Sequence, residues 1–203
     1  MNRNTYKLIM ISSSIVSFIA IIIIFLRGNI LPQFLDENKI ITIYSSKNYY
    51  IQSLSLVFCY LIPLSSFICL YDQINKKKYS LIGFLGLILS IIGTSLALII
   101  IGAMTFVFPN LINFPIDVQK ETTKILMTIT INIGIISALT YSIGISLLSI
   151  KLFRLENESF LPSILFLFHG IILSFGFSNI YLLMIGWLFL SISLIIFGFI
   201  LNK

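Results

Sequence analysis

Acidic side chains are scarce in this chain: seven in 203 residues, and none of them inside a long apolar run. Paired carboxylates for acid–base chemistry are therefore missing from the apolar part, and a proton- or sodium-coupled carrier, which commonly uses a buried acid, loses ground. Charge of either sign is also thin. Only 10% of residues are charged, against roughly a quarter in soluble domains. With one histidine and two cysteines in the chain, no Cys/His set can build a zinc site or ligate a haem on both faces. Cys59 and Cys69 share one apolar run. Ten helical residues separate them by about 15 Å, and a disulfide needs Cα atoms closer than about 7 Å, so they do not bridge within that helix.

Other signatures are missing too. There is no Gly-x-Ser-x-Gly elbow, no His-Glu-x-x-His pair and no phosphate-cradling glycine loop, which membrane proteases and lipid hydrolases would need in one form or another. The reading leans away from an enzyme, and no cofactor is expected. The net charge of +6 does not point to nucleic acid, because the basic residues cap apolar runs and form no continuous patch. No polar stretch reaches the roughly 50 residues that a separate soluble module requires. Residues 1–203 are expected to form a single transmembrane domain.

What the chain has is apolar length, with 58% of residues hydrophobic. Six runs are long enough to be candidate spans: 8–26, 49–71, 81–108, 125–150, 161–177 and 181–201. The fold class expected is all-α integral membrane, a six-transmembrane-helix bundle. The first run ends in Arg27 and is too long for a signal-peptide core, so it is expected to be retained. The fifth, at about 17 residues, is near the lower limit for crossing. Between spans, Ile40–Tyr44 has strand character, Tyr71–Ser80 and Pro109–Lys124 are expected as polar loops, and Gly176, Ser178 and Asn179 suggest a tight turn.

Lys76, Lys77 and Lys78 set the direction. Three adjacent ammonium groups resist translocation, which places this loop on the cytoplasmic side and both termini with it, N-in and C-in. Eight basic residues then lie inside (Arg3, Lys7, Lys76, Lys77, Lys78, Lys151, Arg154, Lys203) and five outside (Arg27, Lys39, Lys47, Lys120, Lys124). Enrichment in Ile, Lys and Asn suggests an AT-rich coding sequence, consistent with a bacterial inner membrane. An inverted three-plus-three repeat would suit a carrier, yet residues 8–108 and 125–201 share no residue-level similarity.

Helix faces give the candidate packing surfaces. At 100° per residue, Gly83, Gly86, Ser90, Gly93, Thr94 and Ala97 of the third span fall within an arc of about 100°. Small side chains let helices approach closely in lipid, so this face is expected to be buried. The fourth span carries Thr128, Thr130, Asn132, Gly134, Ser137, Tyr141, Ser142 and Ser146 around most of its circumference. It is expected to sit centrally, with Ile129, Ile133, Ile136, Ile143 and Leu147 toward lipid.

One ionisable side chain lies within a span: His169. Such groups are costly in a membrane and are functional suspects. At 1.5 Å per residue, His169 lies about 12 Å from the cytoplasmic ends, level with Tyr141, Pro63, Ser90 and Ser193, with Ser14 and Ser17 nearby. In this layer His169 could hydrogen-bond the Tyr141 hydroxyl, or serve a structural role only. The candidate ligand-binding residues are therefore His169, Tyr141, Ser90, Ser193 and Asn132, the last more suited to joining helices. Two functions fit. One is a non-enzymatic membrane component, a subunit, immunity or regulatory factor, contacting another membrane protein or a second copy through small-residue faces. The other is a binder or transporter of a small apolar or lipid-like molecule in a cavity near His169. The lipid bilayer is the common partner of both.

Overall fold

The computed structural model describes residues 3–26, 47–77, 79–155, 159–175 and 180–200. Among these, the chain forms helices and turns with no strand: α1 (Arg3–Leu26), α2 (Lys47–Lys77), α3 (Leu81–Gly102), α4 (Ile116–Leu152), α5 (Phe160–Phe175) and α6 (Ile180–Ile200). A π-helical turn (Ala103–Val107) and a 3-10 turn (Phe108–Asn113) continue α3 toward α4. Among the described residues, five segments are long and apolar enough to cross a membrane, and α5, with 16 residues, falls short of that length. The strand-like Ile40–Tyr44 and the turn at Gly176, Ser178 and Asn179 lie outside the described residues.

The helices run further than the hydrophobic runs that announce them. The stretch expected as the loop Tyr71–Ser80 is helical through Lys77, so the described break shrinks to Tyr79 and Ser80. Charge does not end a helix; a cap or an extended residue does. Ser80, in an extended conformation, accepts a hydrogen bond from the Gly83 amide at 3.1 Å and starts α3. Asp72 and Lys76, one turn apart, pair at 3.6 Å, and Lys76 Nζ donates to the Tyr6 hydroxyl at 3.1 Å, tying the end of α2 to α1. Likewise, the expected loop Pro109–Lys124 is helical from Ile116. Pro115 precedes the first turn and Asp117 lies within it, where an acid favours the positive end of the helix.

The six described helices form a closed ring in chain order. Each packs on its sequence neighbours, and α6 returns to α1. Paired positions show every neighbour to be antiparallel. Ser13 meets Ile62 and Cys59 meets Ser17 between α1 and α2; Tyr50 meets Phe106 and Tyr71 meets Phe84 between α2 and the α3 arm. Ser14 meets Ser191 between α1 and α6. An even number of alternating helices allows such a ring to close without a parallel contact.

The closest joint is between α3 and α4. A Cβ placed on Gly93 would lie 2.5 Å from the Tyr141 backbone nitrogen, and one on Gly86 would lie 2.9 Å from the Gly144 carbonyl oxygen. Gly144 in turn abuts Ser90. Gly83, Gly86, Ser90, Gly93, Thr94 and Ala97 are all buried, and the Ser137 hydroxyl crosses to the Gly93 carbonyl at 2.7 Å. This is small-residue packing within one chain, at distances that no larger side chain permits.

The expectation that α4 sits centrally is not met: α4 is one member of the ring. Gly134, Ser137 and Tyr141 face inward, whereas Thr128 and Asn132 are exposed. The hydroxyls explain how a helix so rich in polar residues remains on the periphery. Thr128, Ser146 and Ser149 donate to the carbonyls of Lys124, Ser142 and Ile145, each four residues earlier, and need no neighbour. Ile129, Ile136 and Ile143 are exposed as expected of a lipid-facing stripe.

Gly93→Ala should destabilise the fold by about 1–3 kcal/mol through backbone overlap. Gly102→Ala, where the added Cβ meets nothing within 4 Å, should be neutral or stabilising by up to about 1 kcal/mol. Thermal unfolding of the two variants in detergent provides the comparison. Equal melting temperatures would contradict the close joint.

Candidate functional site

His169 stands on the inner face of α5 and is 0% exposed. Its Nδ1 lies 2.8 Å from the Gly186 carbonyl oxygen of α6, and its Nε2 lies 2.8 Å from the Tyr141 hydroxyl of α4. A carbonyl can only accept, so Nδ1 carries the proton and donates. Nε2 is then the free lone pair, and the Tyr141 O–H donates to it. The neutral ring is thereby held in one tautomer by two helices at once.

Local sequence brings these groups together. Gly170, next to His169, leaves space for Ile145, whose Cγ2 would be 2.9 Å from an added Cβ. That contact draws α5 onto α4 one turn from Tyr141. Gly186 offers its carbonyl to Nδ1, and the absence of a side chain there lets α6 approach Ile172 and Leu173 of α5.

Aromatic rings close around the pair. His169 lies 5.6 Å from Tyr141 and 5.0 Å from Trp187, centroid to centroid. Tyr60 of α2 packs edge-on against Trp187 at 5.0 Å and against Tyr141 at 6.3 Å. Phe67, one α2 turn pair further on, contacts Tyr141 at 6.1 Å and Phe166 at 5.4 Å. The ring interior is thus filled by side chains from α2, α4, α5 and α6. Each edge-to-face contact contributes about 0.5–1.5 kcal/mol beyond its buried area.

The remaining candidate residues lie elsewhere. The Ser90 hydroxyl donates to the Gly86 carbonyl within α3 at 2.8 Å, in the α3–α4 joint. The Ser193 hydroxyl donates to the Pro162 carbonyl at 2.8 Å and fastens α6 to the first turn of α5. Asn132 is exposed on α4 and makes no hydrogen bond among the described residues. His169 and Tyr141 therefore meet, and Ser90, Ser193 and Asn132 do not join them.

Sequence reasoning missed Trp187, Tyr60, Phe67 and Phe166. A signal existed for two of them, because tryptophan and tyrosine favour membrane–water interfaces, and Trp187 and Tyr60 stand well inside their apolar runs. Aromatics so placed need burial within the protein. Among the described residues, no group of three or more His, Cys, Asp or Glu is placed to hold a metal ion. Chemically, the arrangement joins three helices through one imidazole, with neither nitrogen left over for a substrate. Comparison with known protein families, curated proteins and solved structures finds no match to this chain.

Tyr141→Phe leaves His169 Nε2 buried without a donor and should cost about 1–3 kcal/mol. His169→Leu should cost a similar amount. In a double-mutant cycle on unfolding in detergent, the pair should show a coupling of about 0.6–2 kcal/mol. Additive losses would mean that the bond contributes nothing specific.

Proposed function

We propose that this protein is a non-enzymatic membrane component that acts by contact with another membrane protein, through the exposed half of α4. The observation that carries this reading is Asn132: a carboxamide on an exposed face without a hydrogen bond among the described residues, in a span whose other exposed side chains are apolar except Thr128, which bonds to its own helix. From Lys124 to Lys151 the helix rises about 40 Å, and Asn132 lies about 12 Å along it, inside a hydrocarbon layer of about 30 Å. There, water cannot satisfy its donors and acceptor, and a polar side chain on a neighbouring helix can.

Small-residue faces play a different part in this reading than the sequence suggested. Gly86, Gly93 and Gly144 are consumed by the α3–α4 joint, so a partner meets Asn132 flanked by Ile125, Ile129, Ile135, Ile136 and Leu139. His169, with both nitrogens engaged and aromatic rings on several sides, acts as an internal tie. That favours the contact function over binding of a lipid-like molecule at this layer.

The bundle sits in a cell membrane, with a bacterial inner membrane as the setting, six spans, and the lysine triplet and both termini on the cytoplasmic side. Antiparallel packing supports the sixth span: α5 runs beside α4 and α6 in alternate direction, and at about 24 Å it crosses with local thinning of the bilayer. The clustering of basic residues supports the direction.

A photoreactive residue at position 136, one turn from Asn132 on the same face of α4, should yield a discrete protein adduct in native membranes, whereas the same residue at position 61, exposed on α2, should label lipid. Asn132→Leu should weaken recovery of that adduct's partner roughly 3- to 10-fold, matching one interhelical hydrogen bond. Equal labelling from both positions would refute the contact function, as would a lipid-like molecule that co-purifies with the wild type and is lost in His169→Leu.

Direction is tested separately. Cysteine at position 76 should resist an impermeant thiol reagent in intact cells and react after lysis, and cysteine at position 120 should react in both. Cys59 and Cys69 are buried and should give little background. The reverse pattern would invert the topology.

A further inference from the structure

Three polar side chains of one region are buried without a hydrogen-bond partner among the described residues: Ser17 on α1, and Trp187 and Ser191 on α6. Trp187 and Ser17 are 0% exposed and Ser191 is 2% exposed. Their common location follows from contacts around them. Cys59 Sγ reaches the Ser17 carbonyl at 3.9 Å, Tyr60 packs on Trp187 at 5.0 Å, and the Ser14 hydroxyl donates to the Ser191 carbonyl at 2.7 Å. Trp187 and Ser191 are one helical turn apart on a single face of α6, as Ser14 and Ser17 are on α1. These contacts place the three residues where α1, α2 and α6 meet.

A fourth group belongs to this junction. Pro63 lies inside α2 and has no amide hydrogen, so the Cys59 carbonyl lacks the donor that an uninterrupted helix would supply. Cys59 is itself 0% exposed and next to Tyr60. The junction therefore offers an indole N–H, which can only donate, a carbonyl, which can only accept, and two hydroxyls able to do either. A serine hydroxyl can rotate toward its own helix carbonyl. The indole has no such recourse, and an unpaired buried donor carries a penalty of about 1–3 kcal/mol.

We infer that this junction is a binding site for an ordered water molecule. A water accepts from Trp187 Nε1–H and one serine hydroxyl and donates to the Cys59 carbonyl and the other serine, which matches the two to four partners typical of buried waters. Its position is the seam where α6 closes on α1, so the water joins α1, α2 and α6 at a place where, among the described residues, no direct side-chain bond links all three. The other orphaned hydroxyls, Ser66, Thr94 and Thr123, stand on three different helices and do not share this arrangement.

The chain contains one tryptophan, so the full-length protein in detergent gives a single indole N–H resonance. In nitrogen-15-labelled protein, this proton should show a cross-peak to water in both nuclear and rotating-frame Overhauser spectra, with the sign of a long-lived bound molecule. The cross-peak should persist in Ser17→Ala and in Ser191→Ala, each of which leaves the indole, the carbonyl and one hydroxyl in place. Loss of the cross-peak in either well-folded variant would mean relay through that hydroxyl, and would overturn the site. So would an upfield-shifted N–H with no water contact in the wild type, the mark of a donor pointing into the Tyr60 ring. The wild-type measurement decides the matter even if a variant fails to fold.

Discussion

A polar group placed among apolar side chains is cut off from bulk water and must find its hydrogen-bond partner elsewhere, and this constraint shapes nearly everything in the molecule. The backbone meets it by forming helices. Most side chains meet it locally: Ser55, Ser90, Thr105, Thr128, Ser146, Ser149 and Ser163 each donate to the carbonyl four residues earlier. A hydroxyl so engaged behaves almost as an apolar group toward its surroundings. That is how a chain with many serines and threonines can still present Ile, Leu and Phe outward.

Groups that cannot be satisfied within their own helix become joints. Ser137 crosses to Gly93, Ser14 to Ser191, Ser193 to Pro162, and His169 to both Tyr141 and Gly186. The imidazole is the most demanding of them, needing one donor and one acceptor in opposed directions. Its position in the ring interior supplies an α4 hydroxyl on one side and an α6 carbonyl on the other. Glycine enables these crossings, since Gly93 and Gly144 bring two backbones to within the width of a single side chain. With the glycine surfaces used internally, the proposed contact with a partner rests on the exposed carboxamide of Asn132.

Much of this was legible in the sequence, for identifiable reasons. The small residues of α3 mark a buried face because every one of them recurs at helical spacing. Depth counting brought Tyr141 and His169 to one level because antiparallel helices with short links keep their ends aligned. Helix limits were less legible. Asp72–Lys77 and Ile116–Lys124 are polar yet helical, since solvent-exposed turns need only a cap and compatible charges, and hydropathy registers neither. The peripheral place of α4 was hidden because composition does not distinguish a hydroxyl bonded to its own helix from one that requires a neighbour. The aromatic filling contributed by Tyr60, Phe67, Phe166 and Trp187 depends on which helices face across the ring, and no single span contains that information.

Ring closure is the premise under the sealed histidine, because an open sheet of helices would leave His169 accessible from the α1 or α2 side. Closure rests on α6 returning to α1, where a Cβ built on Gly198 lies 3.4 Å from the Cβ of Met10, next to the lower end of the roughly 3.5–4.5 Å spanned by a disulfide. The most direct measurement is therefore mild oxidation of the Met10→Cys/Gly198→Cys double variant, followed by electrophoresis without reductant. The closed ring predicts an intramolecular bond that forms rapidly and raises the melting temperature. Failure to cross-link, or cross-linking only between separate chains, would contradict it.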